Sequence, residues 1–180
     1  MRAGAAEPDL LQPTSGPDRV YHLETDASVL PAGPPGRCSA PTAAPTAGGG
    51  IVLRGPDLRL VATRSLLLGV VESPTHAEFV VLLAGLKLAR EHGVENIRIR
   101  VDNLSLVRDL NGETPLKTAW AGALAEEIRQ VRAEFRVVDI RWAPSSHATE
   151  RKDGVPTSDL LARQAIGLGP RQARRRRGRR

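Results

Sequence analysis

The amino-acid sequence predicts an α/β domain with a mixed sheet. Three observations carry that expectation. Within "ENIRIRVD" (95–102), Ile97, Ile99 and Val101 fall on one side and Arg98, Arg100 and Asp102 on the other, the period of a half-buried strand. Just before it, "SPTHAEFVVLLAGLKLAREHG" (73–93) carries apolar residues at 79, 82, 83 and 86, the stripe of a helix. Along the whole chain the pattern reads strand, strand, strand, helix, strand, helices, strand, helix, with no internal repeat.

Each element has its own signal. "RVYHLETDAS" (19–28) reads as the first strand. "VLPAGPPGRCSAPTAAPTAGGG" (29–50) is a low-complexity run of Pro, Ala, Gly and Thr, and is expected to be a long flexible loop. "GIVLRG" and "LRLVATRSLLLGVV" then form a hairpin that turns at "GPD". The main helix follows, with Thr75 as N-cap, Glu78 completing a capping box and Gly93 as the stop. "NLSLVRDLNG" is a short helix ending at Gly112, and "LKTAWAGALAEEIRQVRAEF" a longer one. "RVVDIRWAP" is the fifth strand and "VPTSDLLARQAIGLG" the last helix. Trp120 and Trp142 are expected in the core, where a Trp on a helix or beside a strand is usually found. The domain is expected over 19–168, between a disordered segment 1–18 and a disordered Arg-rich tail 169–180.

The chain has 180 residues, enough for one domain with a real core. Aromatics make up only 3% against 41% hydrophobic residues, so that core must be aliphatic. The first twenty residues hold no apolar run of signal-peptide length, and no segment approaches a membrane span. Cys38 is the only cysteine, which rules out an internal disulfide. A cytoplasmic monomer without membrane contact is the expectation. The net charge is +6, but the last ten residues hold seven Arg and no acid. Without them residues 1–170 carry −1. A near-neutral domain with a cationic arm points to a polyanion, nucleic acid above all, with the arm on the phosphate backbone. A solvated end with no specific partner is the plainer alternative.

Four carboxylates stand where the chain is expected to turn. Asp26 ends the first strand, Glu78 lies in the first turn of the main helix, Asp102 ends the fourth strand and Asp159 starts the last helix. Each alone fits a cap, a helix dipole or a turn. Together they can share one edge of an α/β sheet, where sites form. Carboxylates gathered there repel one another unless cations lie between them, and hard oxygen ligands suit Mg²⁺ or Mn²⁺. Two such ions, roughly 3.5–4 Å apart, can clamp the attacking and leaving oxygens of a phosphodiester.

The order and spacing of "TDAS", "HAEFVVLLAGLKLA", "RVDNLSLVRDLNG", "IRWAPSSH" and "SDLLARQA" resemble type 1 ribonuclease H, over about Val20 to Gly167. The resemblance implies a ribonuclease H-like fold with a five-stranded mixed sheet flanked by helices. It implies cleavage of the RNA strand of RNA–DNA hybrids with two divalent ions, Mg²⁺ or Mn²⁺. Its metal ligands carry over to Asp26, Glu78, Asp102 and Asp159, and its mobile loop histidine to His147 in "SSHATERKDG".

The chain also departs from that family. Ala27 stands where the family has Gly after the first Asp. The loop before the second strand holds no Asn, Ser73-Pro74-Thr75 replaces Asn residues before the helix Glu, and Val155 replaces an Asn before the last Asp. Those Asn groups help the family grip the RNA strand, whose 2′-hydroxyl distinguishes it from DNA. Ser28, Thr75 and Asn103 are the polar candidates left beside the acids for substrate binding. The first expectation is therefore a hybrid-cutting nuclease. The alternatives are a catalytically weak or inactive nucleic-acid-binding module on the same fold, and a nuclease of that fold with another nucleic-acid substrate.

Overall fold

The computed structural model describes residues 19–30, 46–144 and 154–169. The segment 1–18, His147 and the Arg tail beyond Gly169 lie outside the described residues. Five strands and four helices follow in the order β1 (Val20–Leu30), β2 (Thr46–Arg54), β3 (Leu60–Val70), α1 (Pro74–Glu91), β4 (Asn96–Val101), α2 (Leu104–Leu110), α3 (Ala119–Ala133), β5 (Val137–Trp142) and α4 (Ser158–Ala165). They form one sheet in the order β3-β2-β1-β4-β5. β1 pairs antiparallel with β2 and parallel with β4, so the sheet is mixed, as the sequence predicts.

β1 is central and has a different kind of neighbour on each side. Its parallel pairing with β4 stops at Glu24↔Arg100, while its antiparallel pairing with β2 runs on to Leu30↔Thr46. Asp26 therefore does not end β1, as the sequence predicts. It sits where β1 outruns β4, and the sheet splits there because the hairpin continues alone. Crevices at such switch points are where α/β sheets place ligands.

The β2–β3 hairpin turns as expected, closed by Gly55 N–H to the Arg59 carbonyl at 2.9 Å. The expected 29–50 loop is corrected at its two ends, while 31–45 lies outside the described residues. Val29 and Leu30 still belong to β1, and Thr46 to Gly50 open β2. The three glycines are buried in the middle of the sheet, because helices come too close on both faces for a side chain. A Cβ on Gly50 would collide with the Ser158 carbonyl and reach the Ala162 nitrogen at 2.7 Å, both backbone atoms of α4. A Cβ on Gly49 would run into Val81 of α1 on the opposite face. Gly within a strand marks such close backbone approach.

α1 lies on one face of the sheet and buries Phe79, Leu82, Leu83 and Leu86 as the periodicity requires. Its N-cap is Ser73, whose hydroxyl accepts the His76 N–H at 3.0 Å. Thr75 is thus inside the first turn, and the expected capping box does not form. Proline at the first helical position moves the cap to the residue before it. Gly93 closes the helix at φ 67°, with Val94 N–H reaching back to the Ala89 carbonyl at 3.1 Å. α3 packs on α1, and their outer faces are joined by the exposed pairs Lys87–Glu127 and Arg90–Glu134. α4 covers the other face over β2 and β1. The Ser65 hydroxyl of β3 donates to the Leu161 carbonyl at 2.7 Å and helps hold it there.

Trp120 meets its expectation in part. It is half-buried on α3, stacked on His76 at 4.9 Å and edge-on to Phe79 at 5.5 Å. Trp142 does not. It ends the edge strand β5 and is 49% exposed, because among the described residues no strand lies beyond β5 in the sheet.

Candidate active site

Four elements bring the four predicted carboxylates to the switch point. Asp26 and Gly50 are register partners across β1 and β2. The Ser158 carbonyl lies against Gly50, so Asp159, the next residue on α4, is carried to the same place. Thr157 caps α4 by accepting the Leu160 N–H at 3.3 Å, which leaves Asp159 in the first turn and buried. Asp102 follows the last residue of β4. Glu78 lies in α1, no longer engaged in a capping box and turned to the site.

Electrostatics show the convergence. Burial raises the Asp26 carboxyl to about 8, and the charges of Asp102, Asp159 and Glu78 all push it in the same direction, against one backbone N–H from Ala27. Burial raises Glu78 to about 7; a hydrogen bond from Asn103 opposes this and Asp102 adds to it. Three acids that each act on Asp26 lie within electrostatic range of it. Titration behaviour of this kind is typical of working sites.

The donor set fits a hard divalent cation. All four groups are carboxylates, and Glu78 Oε2 is buried with no hydrogen-bond partner among the described residues. A buried acceptor left in that state costs free energy that a cation would recover. Among the described residues, however, no three acids are gathered into a finished coordination shell. Carboxylates within electrostatic range repel one another, and a cation between them would relieve that repulsion.

The polar candidates are placed as follows. Asn103 caps α2 through the Leu106 N–H at 3.1 Å, donates to Thr75 Oγ1 at 3.3 Å and reaches Glu78. It ties α2 to α1 and orients the acid between them. Thr75 is thereby also engaged. Ser28 is buried on β1 opposite Gly48. Ser73, Thr157 and the glycine run were not singled out from the sequence as parts of the site. The glycine run was the available signal, since three Gly before an apolar run fit a strand that must admit a helix on each face.

The model of the reverse transcriptase-like family matches residues 38–149. The chain belongs to this family, within the ribonuclease H-like superfamily. The matched span contains Glu78 and Asp102, while Asp26 and Asp159 are joined to them by the fold. Solved structures of the superfamily agree in architecture. RNase H1 from the halophilic archaeon Halobacterium salinarum matches with a TM-score of 0.65 at 21% identity, covering 82% of this chain and 97% of that one. The N-terminal RNase H domain of a Mycobacterium tuberculosis protein, solved as a fusion with maltose binding protein, matches at 0.62 and 22%, covering 82% and 98%. LC11 RNase H1, from a compost metagenome and solved in complex with an RNA/DNA hybrid, matches at 0.61 and 18%, covering 81% and 96%. At these identities the likeness establishes the ribonuclease H fold. No curated protein matches the chain in sequence.

Proposed function

We propose that this chain is a divalent-metal-dependent endonuclease of ribonuclease H type that hydrolyses the RNA strand of RNA–DNA hybrids. The observation that carries the reading is the convergence of four carboxylates from four elements at the switch point, where Asp26 is raised to about 8 by burial and by the charges of the other three. A fold alone does not choose a function. A set of repelling acids at the place where such folds bind ligands narrows the choice to chemistry that needs cations there.

Asp26, Glu78, Asp102 and Asp159 would hold Mg²⁺ or Mn²⁺. When bound, such ions lower the pKa of water and neutralise charge on a phosphodiester. The chain's own residues set the geometry. Asp26 is fixed by the β1–β2 register, and Asp159 by the close approach of α4 to Gly50. Asn103 holds Glu78 in place. In-line attack on phosphorus would leave 3′-hydroxyl and 5′-phosphate ends. The Arg tail would supply sequence-independent affinity for the backbone.

One observation favours a second reading, a binding module that does not cut. The residues that replace the family's Asn before Glu78 are occupied within the protein, Ser73 as the α1 cap and Thr75 as acceptor from Asn103. Cleavage of an end-labelled hybrid in Mg²⁺ and in Mn²⁺ separates the two. Duplex DNA, duplex RNA and single strands run beside it, with Asp102→Asn as control. Hybrid-specific cutting absent from the control supports the nuclease. A folded protein that cuts nothing in either metal rejects it.

A further inference from the structure

Trp142 is the feature of this region that the carboxylate chemistry does not use. It is a large apolar ring on the last residue of an edge strand, 49% exposed. Its indole Nε1–H donates to the Asp102 backbone carbonyl at 3.1 Å. The ring is therefore not a loose surface side chain. Its one polar atom is consumed, its position is tied to one of the four acids, and apolar surface is left facing solvent. Leu104, two residues beyond Asp102, is 43% exposed. Two large apolar residues thus flank Asp102, one along the chain and one through a hydrogen bond. Holding them in water beside a charged site has a hydrophobic cost that a planar apolar ligand would remove.

The adjoining acids restrict that ligand. A metal-loaded carboxylate site receives a phosphodiester, and the flat apolar group attached to a phosphodiester is a nucleobase. Aromatic rings beside a backbone track bind bases by stacking, with little regard to sequence. Bases inside a duplex already have both faces covered by their neighbours. A base that can lie on Trp142 must be unpaired, in a single-stranded flank or at a junction.

We infer that Trp142 is a stacking platform for an unpaired base next to the phosphate that cations on the four carboxylates would hold, and that it makes the protein prefer hybrids with a single-stranded flank over blunt ones. This rests on the nucleic-acid reading of the site and names its substrate more closely. Trp142 is a specificity residue here, and its tether to Asp102 fixes the distance from base to phosphate.

The test is equilibrium binding by the full chain carrying Asp26→Asn, which blocks turnover, in Mg²⁺. The probes are a fluorescein-labelled blunt hybrid and the same hybrid with a five-nucleotide unpaired flank. Two substitutions separate stacking from tethering: Trp142→Phe keeps a ring and loses the N–H, and Trp142→Leu keeps bulk and loses the ring. The flanked probe is expected to bind about tenfold tighter than the blunt one, consistent with the stacking of a single base. Trp142→Phe should keep most of that ratio and Trp142→Leu should bring it close to one. A purely structural role would weaken both probes together and leave the ratio unchanged. Equal affinity for the two probes in the chain with Trp142 intact, or the same ratio in the Leu and Phe variants, overturns the inference and leaves the nuclease reading standing. Failure of both this chain and the unsubstituted chain in EDTA to bind either probe rejects the nucleic-acid reading, and the inference with it.

Discussion

Gly50 lies against the Ser158 carbonyl, and this contact sets the distance between β2 and α4 at the site. Gly50 pairs with Asp26 and Ser158 precedes Asp159, so one glycine governs how two acids from distant parts of the chain meet. Gly50→Ala should force α4 outward, since the obstructing atoms are backbone and cannot rotate away. Overpacking of this kind costs about 1–3 kcal/mol. Displacing Asp159 by an ångström should lower hybrid cleavage roughly a hundredfold. Gly122→Ala is the control, because a Cβ there meets nothing within 4 Å and the residue lies inside α3. It should gain about 0.5–1 kcal/mol in thermal unfolding and leave cleavage unchanged. Equal activities for the two variants would show that the close approach does not position the site.

The raised carboxyls make metal-free stability depend on pH. An acid whose folded pKa exceeds its unfolded value favours the folded state fully below the unfolded pKa, and that contribution is lost as pH rises through the folded pKa. For Asp26 the window runs from about 4 to about 8, and for Glu78 from about 4.5 to about 7. Asp26→Asn removes the larger effect. In EDTA its Tm should match that of the unsubstituted chain near pH 4 and exceed it increasingly up to pH 8.5. The gain should reach several degrees, on the order of 1–2 kcal/mol. A difference that stays flat across this range would mean that the Asp26 carboxyl is not raised in the folded chain.

Divalent cations should relieve the same burden. Differential scanning fluorimetry at pH 8 should show Mg²⁺ and Mn²⁺ raising Tm. The gain should approach about 2.7 kcal/mol once the ion exceeds its Kd a hundredfold. Glu78→Gln and Asp102→Asn should lose most of that response. Monovalent salt at equal ionic strength controls for screening. No shift in the unsubstituted protein would mean that the carboxylates bind no metal.

Asn103 has two separable jobs. Asn103→Ala removes the α2 cap, at a cost of about 1 kcal/mol, and also the hydrogen bond that holds Glu78 down. The acidic limb of the cleavage pH profile should then move to higher pH. Asn103→Ser restores a cap acceptor without the reach to Glu78, so it should recover stability and not the pH profile. Recovery of both together would assign Asn103 a structural role only.

Deleting residues 171–180 removes seven Arg. Hybrid affinity should fall, and the slope of log K against log salt should flatten by about 0.9 for each phosphate the tail had neutralised. Unchanged slopes in a filter-binding titration would show that the tail does not touch the backbone.

The local pattern was enough for much of this protein. Period-two alternation around Ile97–Val101 and the helical stripe at 79, 82, 83 and 86 are properties of neighbouring residues, so both elements were legible. So were the four acids, which combine a residue type with an element boundary. Long-range packing set the rest. The glycines at 48–50 look like loop residues to any local rule, and become strand only because β1 pairs with them and helices close on both faces. Ser73 rather than Thr75 caps α1 because Pro74 starts that helix two residues earlier than a capping box ending at Glu78 would imply. Trp142 is exposed because β5 happens to be the sheet's edge, which depends on strand order. The convergence of Asp26 with Asp159, more than a hundred residues apart, follows from the same cause. A pair of backbones had to approach within reach of a missing side chain, and only folding brings them there.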